Sequence, residues 1–134
     1  MLLTGCTTYG SNQNQSIDSK NADKSGNELI YYADQYRDLS SVMSKKYIEQ
    51  DYDSIASLLV EAVEIAGKVS KLDVSDKYEK AKSHAKDWMY SDAYWFHLAI
   101  SGGNKEEMNF AFNESLEYLT LFLNEMERLG YDFD

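Results

Sequence analysis

The sequence predicts an all-α fold, an antiparallel up-down four-helix bundle carried on a disordered amino-terminal tether. Three observations predict it. From Asn27 onward the apolar residues recur at spacings of three, four and seven rather than alternating, as helices with one buried face require. The chain contains no proline, so no helix interior loses a donor or has its preceding turn crowded by a ring. The periodic stretches are separated by short clusters of Asp, Ser, Asn and Gly, which leave room only for antiparallel neighbours.

The first helix is expected over about 28–50. Leu29, Tyr36 and Met43 form one row, Tyr32 and Leu39 a second, and Ala33, Ser40 and Tyr47 a third, with Glu28, Asp34, Arg37, Lys45 and Glu49 turned outward. Gln50-Asp51-Tyr52-Asp53 breaks the pattern, and Asp51 or Asp53 is placed to accept from the free N–H groups of the next helix. That second helix is expected over about 53–71, on Ile55, Ala62 and Val69 and on Leu58/Leu59, Ile65/Ala66 and Leu72. Gly67 interrupts it, and a close helix contact would justify a glycine there.

Asp73 or Ser75 is the expected cap of a third helix over about 75–101, which carries Tyr78, Ala81, Ala85, Trp88/Met89, Asp92/Ala93, Trp95/Phe96 and Ala99/Ile100. Gly102-Gly103 ends it, because glycine accepts the left-handed conformation common past a helix end. The fourth helix opens at Asn104, with Glu107 three residues later as in a capping box. Its expected stripe is Met108, Phe112, Ser115/Leu116, Leu119, Phe122/Leu123, Met126 and Leu129, stopped by Gly130, and the tail from Tyr131 is expected to fray. A three-helix core with the first helix loosely docked is the alternative packing.

Composition limits the function classes. A chain of 134 residues with 43% hydrophobic content is one domain with enough apolar surface for a core. The net charge of −10, from 23 acidic and 13 basic residues, opposes binding to a nucleic-acid backbone, so no nucleic-acid partner is expected. The same charge opposes adsorption to an anionic membrane, so membrane residence calls for a covalent anchor. The single cysteine, Cys6, excludes an internal disulfide.

Cys6 closes the run Leu3-Thr4-Gly5-Cys6, which resembles the lipobox of bacterial lipoprotein signal peptides. The resemblance implies that Cys6 becomes the mature amino terminus and carries acyl chains. Buried methylenes contribute about 0.8 kcal/mol each, so two or three such chains hold a protein durably. Only Met1, Leu2 and Leu3 stand before the motif, where a signal peptide has a basic region and an apolar run of about 7–15 residues. The expectation is that the chain as given starts late. After Cys6, the segment 7–27 is rich in Ser, Asn, Gln, Thr, Gly and Asp, with Tyr9 and Ile17 almost its only core-forming residues. Such a stretch buries too little to offset its ordering entropy and reads as a flexible linker. Residues 1–26 are therefore expected to be the lipobox and linker, and 27–134 the bundle. A free thiol in a disordered tail is the plainer alternative for Cys6.

Catalytic signatures are weak. His84 and His97 lie 13 apart, so they do not pair on a helix face, and no HExxH motif is present. Asp51-Tyr52-Asp53 would continue a calcium loop with Ile55 and Ala56 where an oxygen ligand and glycine belong. No nucleophile elbow or phosphate loop occurs. No catalytic residue, metal site or cofactor is assigned. The least ordinary stretch is 88–97. Trp88, Asp92, Trp95 and Ala99 share one helix face, while Tyr90, Tyr94, His97 and Ser101 share another. The structural reading has the tryptophans in the core with Asp92 bonded to an indole N–H or a tyrosine hydroxyl. The functional reading makes Trp88, Asp92, Tyr94 and Trp95 an aromatic groove with a carboxylate, suited to a sugar, a peptide or a cation. The 11 tyrosines fit surface recognition somewhere on the molecule.

Tether and bundle together resemble the small helical lipoproteins of Gram-positive bacteria. The resemblance implies a lipid-anchored binding or interaction module outside the cytoplasmic membrane, its partners the membrane through Cys6 and an envelope ligand or protein. The alternatives are a soluble cytoplasmic adaptor or regulatory protein in which Cys6 is incidental, and an enzyme with a carboxylate site in the bundle core.

Overall fold

The computed structural model describes the backbone of residues 17–133 and the side chains of 24–133; Cys6 lies outside them. Four helices pack against one another: α1 (Ile17–Ile48), α2 (Tyr52–Ser70), α3 (Glu79–Ser101) and α4 (Lys105–Arg128). A 3-10 turn, Asp76–Tyr78, leads into α3. The described chain is all-α with no strand among the described residues.

The helix ends follow from the local chemistry. Helix α1 closes with Asp51 N–H donating to Lys46 O (2.9 Å) and Gln50 N–H to Tyr47 O (3.0 Å), with Gln50 at φ 62°. This is the Schellman arrangement with glutamine where glycine is usual. Asp51 then caps α2, accepting from Ser54 N–H at 3.3 Å and from its hydroxyl at 2.7 Å. Asn104 caps α4 as the sequence implied: its Oδ1 accepts from Glu107 N–H at 2.7 Å, and its amide donates to Glu107 Oε1 at 2.8 Å. Ser75 flanks the 3-10 turn without a side-chain cap bond. Its own N–H instead donates to Ser25 Oγ at 2.9 Å.

Helix α3 is the centre of the packing and touches each of the other three. Ala62 and Ala66 of α2 and Ala81 and Ala85 of α3 are all fully buried. Three aromatic layers stack along the bundle. Tyr78 and Tyr131 meet at one end, Tyr36, Trp88 and Phe122 in the middle, and Tyr47, Trp95 and Phe96 toward the other end. In the middle layer Tyr36 is edge-on to Trp88 at 5.2 Å and Trp88 is stacked on Phe122 at 6.1 Å.

Three expectations are corrected: the frayed tail, part of the α4 stripe and the contact at Gly67. Helix α1 runs Ile17–Ile48, and residues just before Asn27 take part in the packing. Ser25 and Gly26 are buried, and a Cβ on Gly26 would fall on the Tyr131 hydroxyl. Tyr131 does not fray: it is buried, and its hydroxyl donates to Asn27 Oδ1 at 3.1 Å, a bond across 104 residues that pins the tail to α1. Most of the expected α4 stripe holds, and it fails at Phe112 and Leu116. Ala111, Ser115, Phe122 and Met126 are buried, while Phe112 and Leu116 are about half exposed at 51% and 48%. Gly67 meets nothing within 4 Å of where a Cβ would sit, so it makes no close helix contact.

Candidate functional site

The 88–97 stretch lies in the second half of α3, and the helix separates its side chains as the two expected faces require. Trp88 is buried between Tyr36 and Phe122. Trp95 is half-buried against Tyr47 and Phe96. Asp92 lies between them as the hub of a hydroxyl cluster drawn from three helices. Its Oδ2 accepts from the Tyr36 hydroxyl and from Ser40 Oγ, each at 2.9 Å, and its Oδ1 lies 3.5 Å from Ser115 Oγ. The Tyr36 hydroxyl is also 2.9 Å from Met89 O.

Burial pushes the Asp92 carboxyl above its ordinary range, and the donors from Tyr36, Ser40 and Ser115 oppose that shift without cancelling it. The Tyr36 phenol is pushed far up, by burial first and then by the negative charge of Asp92. Trp88 and Asp92 therefore belong to the core, with Asp92 bonded to a tyrosine hydroxyl. The four residues Trp88, Asp92, Tyr94 and Trp95 do not line one surface.

Tyr94 is the member that faces out. It is 47% exposed, stacks on His97 at 6.2 Å, and donates from its hydroxyl to Glu107 Oε2 at 3.3 Å. Beside it lies a cleft of about 480 Å³ lined by Tyr94, Asn104, Glu106, Glu107 and Phe110. Phe110 is 65% exposed, on the solvent side of α4. Glu107 is held by both neighbours, with one carboxylate oxygen accepting from the Asn104 amide and the other from Tyr94. The cleft thus pairs two exposed aromatic rings from adjacent helices with two carboxylates.

No family model matches the chain, and comparison with curated proteins and with solved structures finds no match. The site is read from its own geometry. Sequence reasoning reached Tyr94 but missed Phe110, Glu106 and the second use of Glu107. One signal was present: Phe110 sits off any buried stripe of α4, one turn after a capping box, where an aromatic has no packing role. Among the described residues, no three His, Cys, Asp or Glu side chains are grouped to hold a metal ion. No helix among them is long and apolar enough to cross a membrane.

Proposed function

We propose that the chain is a binding module of a bacterial cell envelope, anchored through lipid on Cys6, with the far half of its bundle turned to a ligand. The lipobox-like run Leu3-Thr4-Gly5-Cys6 supports the anchor. The observation that carries the binding half of the reading is the Tyr94–Phe110 cleft and where it lies. Helix α1 enters the bundle at the end where Ser25 meets Ser75 and Asn27 meets Tyr131. Tyr94 and Phe110 sit in the opposite half, near the α3–α4 turn. From Ser25 to Tyr47 the helix rises through 22 residue steps, about 33 Å at 1.5 Å per residue. A bundle tethered at its first end would hold the cleft that far from the membrane side.

Metabolic labelling with an acyl-chain analogue, on the gene extended upstream, tests the anchor. The reading expects label and membrane retention in the parent and neither in Cys6→Ala. An unlabelled product in the soluble fraction overturns the anchor and favours the cytoplasmic adaptor.

A further inference from the structure

We infer that the Tyr94–Phe110 cleft takes a lysine or arginine side chain of an extended partner peptide. The inference rests on the reading of the chain as a binding module and adds the chemistry of what is bound. Phe110 leaves most of its ring in water although the helix that carries it buries Phe122 fully. Tyr94 has the His97 ring stacked on it and lines the same cleft as Phe110. An ammonium or guanidinium is attracted to an aromatic face when it lies within about 6 Å of the ring centroid.

The carboxylates complete the selection. Glu107 is fixed by the Asn104 amide and the Tyr94 hydroxyl, one donor to each oxygen. A carboxylate has roughly four acceptor positions, so two donors orient it and leave room for a cationic head. Glu106 adds a second negative charge at the same cleft. The net charge of −10 draws basic segments toward the molecule before contact. A lysine or arginine fits better than a small free cation, because its methylene stem can lie along the exposed Phe110 ring while its head reaches Glu107. The groove between α1 and α2 lacks this combination. Its acidic residues Asp38, Glu61 and Glu64 are accompanied by Lys68, and no aromatic ring lines it.

The test is an NMR titration of the full chain with a hexapeptide of alternating lysine and glycine, beside its norleucine counterpart. The expected result is saturable shift changes centred on Tyr94, Asn104, Glu107 and Phe110 with the lysine peptide only. Phe110→Ala is expected to weaken binding about two- to five-fold. Glu107→Gln, which keeps an acceptor for Asn104, is expected to weaken it about ten-fold. Far-UV circular dichroism of each variant checks that the bundle is intact. Shifts spread over the whole acidic surface, or affinities unchanged in both variants, would overturn the assignment, as would equal binding of the norleucine peptide. Acyl labelling at Cys6 reads separately: peptide binding without label removes only the anchor, and label without peptide binding removes only this ligand.

Discussion

Removing one oxygen atom tests whether Asp92 is a core residue held by hydroxyls. In Tyr36→Phe the ring keeps its place beside Trp88, while the hydroxyl that reaches both Asp92 Oδ2 and Met89 O is lost. A hydrogen bond to a charged group contributes about 1.5–3 kcal/mol, and a neutral one about 0.5–1.5. With Asp92 ionised, the loss is therefore about 2 kcal/mol. At about 4 °C per kcal/mol for a domain of this size, the midpoint falls by about 8 °C.

The pH dependence gives a second handle on the same substitution. The folded Asp92 pKa is raised above 3.8, so as pH falls the folded protein takes up that proton before the unfolded chain does. Wild-type stability thus gains from this group between the raised value and 3.8, the reverse of an ordinary salt-bridged carboxylate. Once Asp92 is neutral, the bond from Tyr36 is neutral too, and the Tyr36→Phe penalty shrinks to about 1 kcal/mol. Urea unfolding of both proteins at pH 8 and just below pH 3.8, where a raised pKa leaves the folded Asp92 mostly protonated, measures this. A penalty below about 0.5 kcal/mol at both pH values, or one that grows on acidification, would refute the reasoning.

Two glycine substitutions are expected to move in opposite directions. Gly67→Ala meets open space in α2 and is expected to stabilise by about 0.5–1 kcal/mol in denaturant unfolding. Gly26→Ala places a methyl on the Tyr131 hydroxyl and is expected to destabilise by about 2 kcal/mol, since the buried ring must leave its site; its marker is greater cleavage of the carboxy-terminal tail by protease. Gln50→Gly, at φ 62°, relieves the strain of a side chain in the left-handed region and is expected to raise stability by about 0.5–1 kcal/mol in thermal unfolding. Trp88→Ala is expected to cost about 3–5 kcal/mol by calorimetry, through the cavity left between Tyr36 and Phe122.

What was legible in the sequence is what local chemistry decides. Asp51 and Asn104 cap the helices they precede, and Gly102 takes the left-handed position that ends α3, at φ 77°. The buried rows of α1, on Leu29, Ala33, Tyr36 and Met43, follow directly from their spacing. What was not legible depends on partners distant along the chain. The polar stretch before Asn27 has no apolar period, yet its last residues are packed because Ser75 and Tyr131 reach them. Hydrophobicity alone places Phe112 and Leu116 inward, but both are about half exposed while Ala111 and the expected Ser115 are buried. At the candidate site the periodicity separated the two faces of α3 correctly. It could not show that Tyr94 shares a cleft with Phe110 and bonds to Glu107, because that depends on how α4 folds back across the Gly102-Gly103 turn.

The central claim is that the bundle stands outside the membrane with its far half exposed. Ser101 is exposed at the end of α3, near the cleft but outside its lining. A Ser101→Cys variant, expressed from the gene extended upstream, can be treated in intact cells with a membrane-impermeant maleimide. The account predicts labelling in intact cells as strong as in lysed cells. Labelling that appears only after lysis would place the bundle in the cytoplasm and contradict the account.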